Sequence, residues 1–241
     1  MLAMGSRPVH RHMQSWLTLE ETRSDRRFKM PYNKTYDFEG AFIDAGHAAL
    51  AHAPTHLGMI DIGIKGWLLP ADACKLYELV YFCGGDCLEF GTFRGLSASV
   101  MLSASVAAGL DNVILSIDLD PGAKDAGRAA LAGRPGAERV YFFNTDADEA
   151  LGTFTRAARM FSFCFIDHSH SYVHVRSACE ALPGVMLPGG FCLFHDFNDP
   201  RNADARNDDY GVWQGVQDGL DMRCFEFWGI YGCTGLFRRI D

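Results

Sequence analysis

The sequence predicts a doubly wound α/β fold: a mostly parallel, seven-stranded sheet with a terminal antiparallel hairpin and an N-terminal helical extension. Three observations predict it. From Pro70 onward, short apolar runs alternate with stretches of helical character. Those runs are apolar throughout, as strands covered by helices on both faces are. The last two β-prone runs are joined by a short glycine-bearing connection, which folds them back on each other.

Residues 1–37 are polar and irregular, with a mixed charge cluster at 20–29 and Pro31 as a breaker, and read as an arm. Residues 38–56 are rich in Ala and His and are expected to be helical, with Pro54 near the end. Gly58, Gly63 and Gly66 then break the pattern before Leu68 and Leu69. The expected division is therefore an arm and helical cap at 1–69 and a main domain at 70–241. The cap either covers the substrate pocket or makes a homo-oligomer contact.

Pro70 suits the first turn of a helix whose apolar stripe is Leu76, Leu79, Val80 and Phe82. Strands follow at 87–90, 113–117, 140–143, 161–166 and 191–194. Helices fit the intervals at 97–108, with Ser97 as N-cap, and at 123–132, 147–159 and 172–182. A polar loop at 198–209 leads to a helix at 210–220. Runs at 224–231 and 236–240, separated by the glycine-bearing turn 232–235, form the hairpin.

Composition narrows the function. With 241 residues, 48% of them hydrophobic and 22% charged, the chain can bury a full core and is not disordered. Lys+Arg number 22 against 30 Asp+Glu, a net charge of -8, which disfavours nucleic acid as a partner and poses no penalty to a cationic small molecule. No apolar run is long enough for a membrane span, and the first 16 residues lack the apolar core of a secretory signal. The 8 cysteines are scattered and read as buried hydrophobes of a reducing, cytoplasmic compartment. Cys83 and Cys87 are too widely spaced for a C-x-x-C pair.

In an open parallel sheet, ligands bind beyond the carboxyl ends of the strands, where the winding reverses. The residues at those ends are polar here. The first strand ends in Leu88-Glu89-Phe90-Gly91-Thr92-Phe93-Arg94-Gly95, leading into a helix N-terminus suited to an anionic group such as a carboxylate. Its glycine spacing is wider than the dinucleotide fingerprint, and an acid at the strand end would repel a pyrophosphate and attract a cation. A structural turn is the plainer reading of this loop alone. Asp118 ends the second strand, where an acid can accept from a ribose diol, while Asp120 before Pro121-Gly122 suits a turn or helix cap. Asp146 could accept from an adenine amino group or cap the next helix.

This pattern resembles the class I S-adenosylmethionine-dependent methyltransferases over residues 70–241. The resemblance rests on Glu89-x-Gly91-x3-Gly95, Asp118, Asp146 and the terminal hairpin. The stretch Phe165-Ile166-Asp167-His168-Ser169-His170-Ser171-Tyr172, then Leu187-Pro188-Gly189-Gly190 and His195-Asp196, is similar to the small-molecule O-methyltransferase branch that includes macrocin-type enzymes. There the equivalent stretch usually reads IDGDHSY, so His168 and Ser169 are departures. The resemblance implies a Rossmann-like methyltransferase fold that binds S-adenosylmethionine. Glu89, Gly91, Thr92, Phe93, Gly95 and Ser97 would hold its methionine part, Asp118 and Leu119 its ribose, Asp146 and Ala147 its adenine, with Asp167 and His168 adjacent.

A hydroxyl acceptor must also lose its proton. Asp167 and Asp196 follow neighbouring strands and could share a divalent ion, with magnesium the one that hard oxygen ligands favour. The resemblance raises that expectation, since several relatives bind magnesium with acids at these strand ends; catechol-type relatives have Asn directly after the second acid, where this chain has Phe197 and then Asn198. His170 or His195 could act as general base beside Asp196, and His195 could equally only orient Asp196. His170 and His174 are spaced as on one helix face, but no His-Glu-x-x-His pattern accompanies them, and His174 reads as a partly exposed helix residue. His47, His52 and His56 read as a helix face. Arg201, Asp204, Arg206, Asp208 and Asp209 make the loop at 198–209 a lid, a substrate contact or a solvated linker.

The expected function is methyl transfer to a hydroxyl of a small molecule, such as a sugar, a phenol or a natural product. Two other readings stand beside it: a nicotinamide-dependent oxidoreductase on a similar sheet, and a cofactor-binding protein without catalysis.

Overall fold

The computed structural model of the protein describes residues 42–204 and 207–240. The expected arm and residues 38–41 of the expected helix lie outside them, as does Arg206 of the polar loop.

Helix α1 (Ala45–Ala51) is capped by Asp44, which accepts from His47 N at 2.8 Å. It is shorter than expected. A small hairpin, β1 (Thr55–His56) and β2 (Met59–Ile60), follows where glycines made the pattern unreadable. The domain then alternates as α2 (Pro70–Cys83), β3 (Cys87–Phe90), α3 (Leu96–Ala107), β4 (Ile114–Asp118), α4 (Pro121–Leu131), β5 (Val140–Asn144), α5 (Ala147–Arg156), β6 (Phe161–Ile166), α6 (Tyr172–Ala181), β7 (Met186–Phe194), α7 (Val212–Gly219), β8 (Phe225–Tyr231) and β9 (Thr234–Arg239). The main sheet has 7 strands in the order β5-β4-β3-β6-β7-β9-β8. β3 to β7 run parallel, and β9 pairs antiparallel with both β7 and β8.

Burial explains why the strands read as unbroken apolar runs. Cys87, Phe163, Phe165 and Leu193 face a core shared with α1 to α4. Their neighbours Leu88, Phe90, Cys164 and Ile166 face a second core shared with α5, α6 and α7. Both faces are dry, so alternation carries no polar signal. The segment before α2 is not separate from this packing: Leu50, Ile60 and Leu68 are buried in the first core.

Two local expectations are corrected. Ser97 is not the cap of α3; Gly95 is, in a left-handed conformation, and Ser97 is buried inside the first turn. β7 begins at Met186, not 191. The strand carries Pro188 and Gly189 (φ +83°) through a register shift against β6. No helix among the described residues is long and apolar enough to cross a membrane.

Candidate active site

The winding runs from β3 outward to β4 and β5, then returns to β6 and β7 on the other side of β3. The reversal therefore falls between β3 and β6. At that edge, beyond the carboxyl ends of the parallel strands, lies a cavity of about 870 Å³. Six aspartates line it (Asp118, Asp146, Asp148, Asp167, Asp196 and Asp199) against two arginines, Arg94 and Arg201. The crevice is open and acidic, as expected for a cationic ligand.

On the β3–β4 side the loop after β3 turns across the strand ends. Gly91 has φ +101°, and a Cβ there would meet the Asp167 carbonyl oxygen at 2.1 Å. Its freedom thus serves the close approach of β3 and β6. Gly95 at φ +81° would place a Cβ 2.9 Å from Gly127 Cα on α4. Phe93 N donates to Asp118 Oδ2 at 2.9 Å and Asp120 N to Oδ1 at 2.8 Å, so the loop itself fixes the aspartate that faces the cavity. Asp120 caps α4 through Gly122 N. Asp146 caps α5 with Oδ1, accepting from Asp148 N and Glu149 N, and also lines the cavity with Leu119 and Ala147.

Glu89 lies elsewhere than expected. It is fully buried and is not among the cavity-lining residues. Its Oε2 accepts from Ser116, which in turn shares a 2.6 Å hydrogen bond with Thr92, while Oε1 is buried without a hydrogen-bond partner. Burial pushes its pKa up to about 7, against the pull of the Ser116 and Ser97 hydroxyls. Glu89 therefore forms the polar underside of the loop, while Thr92 and Ser97 above it also line the cavity.

The β6–β7 side gathers Asp167, His170, His195 and Asp196. His195 Nδ1 lies 3.1 Å from Asp167 Oδ1 and 3.4 Å from Asp196 Oδ1. His170 Nε2 lies 3.4 Å from both Asp167 Oδ1 and Asp196 Oδ2. Burial disfavours a charge on His195, yet Asp167 and Cys233 beside it hold its pKa well above the usual value. Asp167 is lowered in return: burial opposes this, and the imidazoles of His195 and His170 override it. Behind His195, Nε2 lies 3.4 Å from Cys233 Sγ and 3.8 Å from Asp72 Oδ2. Asp72 also accepts from Leu69 N and Cys233 N.

Asp196 has φ +53°, a left-handed conformation uncommon outside glycine, although Asp tolerates it better than most. Asn202 holds it there, donating to the carbonyl oxygens of Asp196, Phe197 and Asp199. Tyr210 donates its hydroxyl to Asp196 Oδ2, and its ring stacks on His170 at 4.9 Å between centroids. Arg201 lies 3.8 Å over the same ring. The polar loop is thus folded over the site rather than a solvated linker.

A family model described as "Methyltransferase domain" matches residues 88–197. Among solved structures, the chain is similar to the O-methyltransferase from Bacillus cereus in complex with SAH, with 17% identity, TM-score 0.59, and coverage of 82% of this chain and 91% of that one. It is equally similar to an O-methyltransferase from Streptomyces achromogenes involved in tomaymycin synthesis, in complex with SAM, at 18% identity, TM-score 0.60 and the same 82% and 91% coverage. An SAH-bound methyltransferase of Podospora anserina matches with 15% identity, TM-score 0.55, and coverage of 70% and 78%. The chain has the Rossmann-like methyltransferase fold. No curated protein matches it significantly.

Within this methyltransferase fold several expected positions fall into different roles. His168 lines the cavity, its Nδ1 beside Ser169 O at 2.9 Å. His174 bonds Ser171 through Nδ1 and lies apart from the Asp167 group, so the His170–His174 pair does not form. His47 and His52 belong to α1 and its C-cap, but His56 stands on β1, so the three do not share a face. Sequence reasoning missed Tyr210, Asp72 and Cys233. Asp72 has only the look of an acid in a helix's first turn, and its contact with Cys233 spans 161 residues. Trp67, 63% exposed and 4.8 Å from Phe93, was likewise unmarked at the cavity mouth.

Proposed function

We propose that this protein is an S-adenosylmethionine-dependent methyltransferase acting on a hydroxyl of a small molecule. One observation carries the reading: an acid-lined cavity of about 870 Å³ at the winding reversal of a methyltransferase fold. That volume suits a small-molecule site, commonly about 300–1,000 Å³, and the excess of carboxylates favours a cationic ligand. Bound there, the cofactor would supply a methyl group on a positively charged sulfur. Asp118, held at the cavity by Phe93 N, would accept from the ribose diol, and Leu119, Asp146 and Ala147, which also line the cavity, would bound the adenine. The loop 91–95 bounds the place for the methionine part, with Glu89 beneath it.

The acceptor hydroxyl belongs beside Asp167, His170, His195 and Asp196, where its proton can leave. Alignment of the two reactants is the first requirement and can supply about 7–11 kcal/mol of the barrier. Met59, Trp67 and Leu69 line the cavity from the segment before α2, which supports reading that segment as a wall of the acceptor pocket. The net charge of -8 opposes a nucleic-acid acceptor.

Calorimetry with S-adenosylhomocysteine and with NADH tests this reading. The first should bind and the second should not, and Asp118→Ala should weaken S-adenosylhomocysteine at least about tenfold, the loss of a charge-assisted pair of hydrogen bonds. Binding of NADH alone would overturn the proposal.

A further inference from the structure

We infer that the rings of Trp67 and Phe93 form an aromatic platform at the cavity mouth that selects a planar aryl hydroxyl as the acceptor, in preference to a sugar. The inference rests on the methyltransferase reading and narrows its acceptor to one chemical class.

Trp67 is 63% exposed and Phe93 40%, and both line the cavity. Their ring centroids are 4.8 Å apart, with 30° between the planes. Two aromatic faces left in water at a cavity mouth gain by being covered. A flat ring covers them with large contact area and little loss of internal freedom.

The backbone beneath Phe93 points the same way. Among the described residues four non-glycine positions have positive φ, and two of them, Phe93 at +44° and Asp196 at +53°, line the cavity. For a bulky aromatic residue this conformation is an outlier, kept only where the surroundings enforce it. Asp118 enforces it here, accepting from Phe93 N at 2.9 Å. The strained position holds the ring against Trp67 at the mouth, and Phe93 belongs to neither core.

The wall that carries Trp67 runs toward the proton-accepting groups. Gly66 packs on α3, where a Cβ would meet Leu96 at 2.5 Å. Leu69 N donates to Asp72 Oδ2 at 2.8 Å, and that oxygen lies 3.8 Å from His195 Nε2. The segment thus spans from the loop 91–95 to the His195 group. Met59, Gly66, Trp67, Leu68 and Leu69 line the cavity from it. Their side chains offer one strong hydrogen-bonding group, the Trp67 indole N–H. A sugar lying on this wall would lose water at several hydroxyls without replacement, which is costly. An aryl ring would lose none.

Proton chemistry favours the same class. A phenolic hydroxyl ionises at about 10, as in tyrosine, whereas water ionises at about 15.7 and an alkyl hydroxyl resembles water. The imidazoles and carboxylates at the ends of β6 and β7 are bases far better matched to the first. The aryl oxygen gives its proton to that group and takes the methyl, while the sulfur keeps the electron pair of the bond that breaks.

The test uses the full chain. Calorimetry with 2-naphthol and with methyl glucoside is run with S-adenosylhomocysteine saturating, and methyl transfer to each is followed with S-adenosylmethionine. The expected result is 2-naphthol binding, and a kcat/KM for it at least about 100-fold above that for methyl glucoside. Trp67→Ala should raise the KM for 2-naphthol about tenfold with kcat little changed, the size of one lost aromatic contact. Trp67→Phe should recover most of that loss, and Phe93→Leu, which keeps apolar bulk without a ring, should raise KM as well. The melting temperature and S-adenosylhomocysteine affinity of Trp67→Ala should match the parent, since the side chain is largely exposed. Preference for methyl glucoside, no 2-naphthol binding to the S-adenosylhomocysteine complex, or a KM indifferent to Trp67→Ala would overturn the inference and leave the methyltransferase reading in place. A chain that ignores S-adenosylhomocysteine yet binds 2-naphthol through Trp67 would instead sink that reading and leave the platform standing; a chain that binds neither would overturn both.

Discussion

Glu89 has no contact with water, and burial raises its pKa to about 7, assisted by the neighbouring anions Asp167 and Asp118 and opposed by the hydroxyls of Ser116 and Ser97. In an unfolded chain the group titrates near 4.5. The folded state therefore holds the proton more tightly. Glu89's contribution to stability is fully present below about pH 4.5 and is lost as the pH rises through about 7, a change of roughly 3 kcal/mol. Glu89→Gln removes that titration. Urea unfolding at pH 5 and pH 8 should show the variant gaining on the parent by roughly that amount at the higher pH; an unchanged difference between the two proteins would refute the argument. This residue also marks how far a single position can be read. An acid at the end of an apolar strand was visible, and its relation to the glycine loop was too. Its burial beneath that loop was not, because every residue of β3 is buried and no alternation indicates direction. Asp118, Asp120 and Asp146 were more legible, since capping and strand-end roles depend on neighbours within two or three positions.

The loop between β7 and α7 behaves as a folded element. Asn202, 1% exposed, ties three carbonyl oxygens together and accepts from Trp213 N. Replacing it with Ala leaves those buried groups without a partner, at about 1–3 kcal/mol. It also frees Asp196 from its left-handed backbone. Under the proposed function, Asn202→Ala should therefore lower the melting temperature and reduce acceptor turnover, while S-adenosylhomocysteine affinity, which that reading assigns to the β3–β5 side, stays near the parent value. Equal losses of cofactor binding and turnover would show that the loop does not act locally. At this scale the alternation of strands and helices was legible because two dry sheet faces demand apolar runs, and helix lengths followed from the intervals. The polar loop was found by composition, but composition says nothing of where it folds. The hairpin of β1 and β2 was hidden by Gly58 and Gly63, and Gly95 took the capping role expected of Ser97.

Taken whole, the molecule is a sheet between two helical layers whose first layer extends back into the segment before α2. Leu50, Ile60 and Leu68 are each less than a tenth exposed, and Tyr77 of α2 donates to Asp44 at 2.7 Å. A chain beginning at residue 70 would uncover that surface. Burying a large aliphatic side chain is worth about 1.5–3 kcal/mol, so three of them form a large part of a typical domain's stability. The 70–241 chain should melt well below the parent and bind a hydrophobic dye. A melting temperature equal to the parent's would show the segment to be an independent appendage. The acidic character of the molecule and its fold class were both legible from composition and rhythm. The assembly of Asp72, His195 and Cys233 was not, since it joins α2, β7 and the β8–β9 turn from distant parts of the chain.

That convergence has a consequence for biosynthesis. β9 is made after β8 but lies inside it, against β7. While a nascent chain emerges from the ribosome, the edge of β7 stays open until β9 arrives. His195 lacks its thiol neighbour until Cys233 is translated. A messenger truncated ahead of codon 233 would therefore yield a product with every parallel strand present and an unfinished cavity wall.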